Sequence, residues 1–214
     1  MKNLIEKYNQ PDSLLLVSLY PKRGEVYSAG MTGVASYAKN VVSKMNRKVV
    51  VLAQEINGPQ IYQEENVLVV RCFSNRHPLM YNNIIKHLYI FKSIKNVLIQ
   101  FDFAIYGSPL NSFLMVILMG ILKMLGKQVT VTLHHVVTDI RKLSGHVGLS
   151  DSFGDSMKAH LYNRVFHIFY WTLAHASTQI IVLEETLQEK LEALCPHAQI
   201  IAIPHGVDTT LESR

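Results

Sequence analysis

Residues 14–20 read L-L-L-V-S-L-Y, and after a polar loop residues 33–45 read G-V-A-S-Y-A-K-N-V-V-S-K-M. The first run is nearly continuous in apolar residues, which is how a strand covered on both faces is written. In the second, Val34, Ala38, Val41, Val42 and Met45 fall at i, i+4, i+7, i+8 and i+11, one stripe of a helix of about three turns. Strand, glycine-bearing loop and helix in that order open a parallel sheet with helical crossovers.

The same alternation continues outward. Val49 to Ala53, Val67 to Phe73, Asn96 to Tyr106, Gln128 to His134, Gln179 to Leu183 and Gln199 to Ile203 read as further strands. Asn57, Gly58 and Pro59 mark a turn between the first two of these. Helical faces appear at Ile84, Ile85, Leu88 and Phe91, through Phe113 to Leu125 with Gly126 as its cap, from Asp155 to Ser177, and from Glu184 to Leu194. Val136 to Gly154, with three glycines and three serines, has no periodicity and is expected to be a mobile loop beside a site. The expected architecture is α/β: a Rossmann-like, doubly wound parallel sheet of about seven strands with five helices on its two faces. Residues 1–12 are expected to be a flexible end and 13–204 the folded unit, leaving 205–214 too short to start a new domain.

Composition agrees with a well-buried globule: of 214 residues, 49% are hydrophobic and 17% charged. Collagen, disulfide-rich miniproteins and disordered tails are excluded. The formal charge is +5 overall, but between residues 66 and 150 nine Lys and Arg, from Arg71 to Lys142, face two acids, Asp102 and Asp139. No run of these cations alternates with aromatics, so a phosphorylated ligand or an acidic membrane surface suits the excess better than nucleic acid. A solvated positive face is the other reading. Cys72 and Cys195 are far apart, and Cys72 lies in an apolar run, as expected of free thiols in a reducing compartment. Met1 to Gln10 has no apolar core of secretory length. The apolar stretch from Phe113 stops at Lys123, short of the roughly twenty residues that span a bilayer. A cytoplasmic location, with peripheral contact at the inner face of the membrane, is the expectation.

Ligands of open parallel sheets bind outside the carboxyl ends of the strands, so the loops there hold the candidates. In the loop from Gly24 to Gly33, Gly30 and Gly33 allow close backbone approach, and the following helix N-terminus favours phosphate. It is neither a G-x-G-x-x-G nor a Walker loop. His134 and His135 end the fifth strand, with Thr138 and Asp139 after them. Adjacent strand residues point to opposite faces, which opposes a metal site built from both histidines unless the strand breaks. A buried, hydrogen-bonded histidine and an active-site histidine both remain open. Pro204, His205, Gly206 and Asp208 follow the last strand, as a functional segment or as a plain turn. Glu184 and Glu192 read as a solvated helix face.

Taken together, T-G-V-A-S-Y at 32–37, V-L-I-Q-F-D-F at 97–103, V-T-V-T-L-H at 129–134, I-I-V-L-E-E at 180–185 and I-I-A-I-P-H-G-V-D at 200–208 resemble the N-terminal half of GT-B glycosyltransferases of family 4. The resemblance runs from about Leu14 to Asp208. It implies sugar transfer from a nucleotide donor with retention, with no tightly bound cofactor and no metal. It implies a sugar or lipid-linked acceptor, in glycan or polysaccharide synthesis, on this half. His134 takes the place of the family's active-site histidine, and Gly33 that of the glycine nearest the donor diphosphate. Thr32 stands where the family has a further glycine, and Gly30, Thr32, Gly33, His135 and Asp139 are the substrate-binding candidates. Pro204, His205, Gly206 and Asp208 become the hinge, beyond which the sequence as given has no second lobe. No transfer by this half alone is then expected, and a second chain or lobe would supply donor binding. Two rivals are a non-catalytic module that joins a partner or a membrane surface, and a metal-dependent hydrolase using His134, His135 and Asp139.

Overall fold

The computed structural model describes residues 2–27, 32–75, 77, 79–103, 105–106, 109–143 and 153–206. Eight strands form one sheet in the order β3-β4-β2-β1-β5-β6-β7-β8. They are β1 Leu14–Ser18, β2 Val49–Gln54, β3 Gln60–Glu64, β4 Val67–Phe73, β5 Asn96–Phe101, β6 Gln128–Leu133, β7 Gln179–Val182 and β8 Ile200–Ala202. All neighbours are parallel except β3 and β4. The helices among the described residues are α1 Lys2–Tyr8, α2 Gly33–Ser43, α3 Met80–Ile90, α4 Pro109–Met124, α5 Phe153–Ala176 and α6 Glu185–Leu194, with a short 3-10 turn at Ile140–Leu143.

The alternation of side chains along buried strands builds two cores. Leu14, Leu16, Val49, Val51, Val67 and Val69 meet Ala38 and Val42 of α2 on one face. Leu15, Val17, Val50, Leu52, Val97, Ile99, Val129 and Val131 meet the other helices on the opposite face. All five residues of β1 are buried, Ser18 included, as expected of a nearly continuous apolar run. From β1 the chain passes to β2 on one side, and β5 lies on the other, so the connections diverge at this pair. A crevice at the carboxyl ends of β1 and β5 follows from that topology. Gly126 ends α4 as expected, with φ +70° and with the N–H groups of Gly126 and Lys127 donating to the carbonyls of Lys123 and Leu122. Cys72 and Cys195 are free and buried, and burial pushes the Cys72 thiol up to about 12.

Four expectations change. The segment between β2 and β4 holds more than a turn, because Gln60–Glu64 adds an antiparallel edge strand. Only Tyr62 of that strand is buried, so the period-2 signal was too short to register. The end expected to be flexible, 1–12, carries α1, whose Tyr8 is buried and whose Leu4 and Ile5 pack on the core. Asn9 Oδ1 ties it down by accepting the Ser93 N–H at 2.9 Å. The strand expected over Asn96 to Tyr106 stops at Phe101, since the Ile105 N–H donates to the Asp102 carbonyl and the Tyr106 hydroxyl folds back to the Gln100 carbonyl. Counts of seven strands and five helices become eight and six among the described residues. Of the aperiodic segment 136–154, residues 144–152 lie outside the described residues, and Ile140–Leu143 within it is helical.

Arg71 is also not where its charge suggested. It is 2% exposed, and its guanidinium donates to the carbonyls of Tyr20 (3.2 Å), Gln54 (2.9 Å) and Pro21, and to the Tyr62 hydroxyl (2.9 Å). It therefore clamps the ends of β1 and β2 to β4 and is not part of an exposed positive face.

Candidate functional site

At the carboxyl ends of the strands lies a cleft of about 870 Å³, within the range of small-molecule sites. One side of it is the start of α2, from Thr32 through Tyr37 to Asn40. Thr32 is extended at the N-cap; its carbonyl accepts the Ala35 N–H at 3.0 Å but its side chain makes no cap bond, which leaves the Gly33 and Val34 N–H groups to other acceptors. A Cβ on Gly33 would meet nothing within 4 Å, and its backbone is not in the left-handed region. Neither packing against the described residues nor backbone conformation calls for glycine there, and the residue lines the cleft.

The opposite side is the His134–His135 segment. Strand β6 ends at Leu133, so the alternation that would send the two rings to opposite faces no longer applies, and both line the cleft. This is the strand break that the sequence argument required. His134 is 8% exposed, and its Nε2 lies 2.7 Å from Gln100 Oε1, which places the ring proton on Nε2 and leaves Nδ1 as an acceptor. Burial lowers its pKa to about 4, helped by His205 and His135 and opposed by Asp102. At neutral pH it is an uncharged imidazole. His135 is exposed, and its Nδ1 donates to Asp102 Oδ2 at 2.7 Å.

The segment after β8 completes the rim. The Ile203 N–H donates to the Val182 carbonyl, continuing the β7–β8 pairing and delivering Pro204, His205 and Gly206 to the cleft edge. The Tyr37 ring stands edge-on to both His134 and His205, with centroids 5.2 and 5.1 Å away. Helix α2, the end of β6 and the segment after β8 thus meet at three rings.

Of the residues singled out from sequence, Thr32, Gly33, His134, His135, His205 and Gly206 line this one cleft, and Pro204 adjoins it. Gly30 and Asp208 lie outside the described residues. Asp139 is not among the described lining residues; its Oδ1 accepts from the Arg141 N–H and from Asn163 Nδ2. Among the described residues no three His, Cys, Asp or Glu side chains cluster as a metal site would need. Tyr37, Gln100 and Asp102 are contributors that sequence reading passed over, and Glu184, read there as part of a solvated helix face, lines the cleft as well. Gln100 and Asp102 carried a signal: two polar residues at the end of an otherwise apolar strand, where ligands bind.

A model of glycosyltransferase family 4 matches residues 31–211. The chain belongs to glycosyltransferase family 4. The match takes in every described lining residue except Tyr27. No curated protein matches this family 4 chain. Among solved structures, a sucrose-phosphate synthase chain from Thermosynechococcus elongatus is similar over 92% of this chain and 91% of that one, with a TM-score of 0.50 and 10% identity. At that identity the likeness is one of fold, the Rossmann-like lobe of a GT-B protein. The family is one of glycosyltransferases, so this cleft is that of a transferase-type domain.

Proposed function

We propose that this domain is the acceptor-side wall of a retaining, nucleotide-sugar-dependent glycosyltransferase of glycan or polysaccharide synthesis. The observation that carries the reading is a neutral, oriented His134 opposite an uncapped helix N-terminus in one cleft. In sugar transfer the bond from the anomeric carbon to the diphosphate breaks, a bond to an acceptor hydroxyl forms, and the nucleoside diphosphate leaves with the electron pair. Negative charge grows on the leaving group while the sugar becomes oxocarbenium-like. The N–H groups of Gly33 and Val34 at the start of α2 suit the first charge. An imidazolium at His134 would oppose the second, and burial keeps that ring neutral. Its free Nδ1 is an acceptor for a sugar hydroxyl.

Donor binding in this reading comes mainly from a second lobe or chain across the cleft, with Pro204, His205, Gly206 and Asp208 as the hinge and no resident cofactor. The present wall leaves Thr32, Gly33, His135, Glu184 and His205 exposed, and a one-sided cleft does not exclude water. A polypeptide of these 214 residues is expected to give no transfer or hydrolysis of nucleotide sugars. Turnover should appear on supplying a family 4 donor lobe in trans or by fusion, and His134→Ala should cut it about 10²-fold. Robust turnover by the 214 residues alone would refute the half-site reading.

Gly33 offers a test with opposite signs. Gly33→Ala should hold or raise stability by up to about 1 kcal/mol, because alanine is the better helix former and meets no atoms. The same methyl intrudes on the cleft, so nucleoside diphosphate binding by the completed cleft should weaken about tenfold. Calorimetric titration beside a thermal melt checks both; unchanged affinity would remove Gly33 from the diphosphate site.

A further inference from the structure

Helix α4 is more apolar than its packing needs. Met115, Leu118, Met119 and Leu122 fill the core, yet Leu110, Ile117 and Met124 are 64, 59 and 80% exposed. Residues seven apart lie on one side of a helix, so these three form a ridge. Helix α5 packs beside α4 on the same sheet face, with Phe113 against Phe166 and Phe169 at centroid distances of 6.5 and 5.1 Å. Its Leu161, Ile168 and Trp171 are exposed too. The two apolar rows therefore point away from the sheet together.

The charge around them has one sign. Lys86, Lys92, Lys95, Lys123 and Arg164 are exposed on α3, α4, α5 and the turn after α3. The single carboxylate on these three helices, Asp155, is paired with Lys158 at 2.9 Å. The positive zone ends at α6, which carries Glu185, Glu189 and Glu192. No helix among the described residues is long and apolar enough to cross a membrane.

We propose that the outer faces of α4 and α5 dock on an anionic lipid bilayer, the apolar ridge entering the headgroup region and the flanking lysines and Arg164 meeting lipid phosphates. Exposed aliphatic residues beside a cationic rim are what a surface-lying, non-spanning contact requires. Trp171, half exposed at the α6 edge of this face, where it stacks on His175 with ring centroids 4.1 Å apart and borders the turn after α6, is a residue type favoured at the water–lipid boundary. A second copy of the chain fits less well, because two such faces would bring like charges together. Helix α4 starts at the carboxyl end of β5, the edge that holds the cleft, so docking brings that edge near the headgroups. The inference stands independently of the sugar-transfer reading.

Trp171 is the sole tryptophan, which makes its emission a direct probe. The full chain, mixed with phosphatidylglycerol-containing vesicles, should co-sediment and shift its emission to the blue, with far less of either on pure phosphatidylcholine. Ile117→Glu and Met124→Glu should each lower vesicle partitioning about tenfold. Lys92→Glu and Lys95→Glu should lower it about fivefold each, and added salt should do the same. All four positions are exposed, and unchanged circular dichroism and melting would show intact folds. Absent binding, equal binding to both vesicle types, or binding indifferent to Ile117→Glu and Met124→Glu would overturn the proposal. Self-association in gel filtration that Ile117→Glu abolishes, without vesicle binding, would overturn it in favour of a protein interface.

Discussion

Lowering the pH from 7 to 4 should destabilise the fold by about 3 kcal/mol through His134, and His134→Asn should remove that part of the slope. The ring is buried, and its pKa of about 4 lies below the 6.5 of an unfolded histidine. Between those values the unfolded chain takes up a proton that the native ring refuses, so stability is lost as pH falls. The contribution is intact above about pH 6.5 and gone once the pH has passed through about 4. Asn at this position leaves Gln100 imperfectly paired, a cost of about 1–3 kcal/mol that does not vary with pH. The difference in slope, rather than in level, is the signal. Urea unfolding of both proteins at several pH values from 4 to 7 measures it. Parallel curves across that window would show that His134 is not held neutral by burial.

Arg71→Met should cost about 3–5 kcal/mol and lower the melting temperature by roughly 10 °C. The guanidinium satisfies three backbone carbonyls and the Tyr62 hydroxyl from a site without solvent. Methionine fills the volume but donates nothing, which leaves those oxygens buried and unpaired. Arg71→Lys should recover only part of the loss, because one ammonium cannot span acceptors arranged around a planar fork. The effect reaches the cleft as well: Tyr20 and Pro21 begin the connection from β1 to α2, and the clamp sets where that connection departs. Thermal melts of the three proteins decide the matter; a loss below about 1 kcal/mol in Arg71→Met would mean that the carbonyls find other partners.

The order of elements was legible because burial periodicity is local. Buried parallel strands write themselves as apolar runs, and α2 as a stripe, so alternation and the class followed from near neighbours. Edge strand β3 was not legible, since it buries only Tyr62. Helix α1 was not either, because its anchor is a hydrogen bond from the Ser93 N–H to Asn9 Oδ1, far along the chain. The cleft was half legible: loop glycines and strand-end histidines stand out by position, whereas Tyr37 and Gln100 look like ordinary helix and strand residues.

From the sequence alone came the α/β class, the parallel winding, the resemblance to family 4 and the strand ends at which chemistry belongs. Tertiary structure decided which side chains meet there. The β5–β6 register sets Gln100 beside Thr132 and Phe101 beside Leu133. That register brings Gln100 and Asp102 within reach of His134 and His135, while α2 carries Tyr37 to His134 and His205. Local periodicity reports whether a residue is buried, but a hydrogen bond between residues more than thirty positions apart exists only once two strands have chosen their alignment.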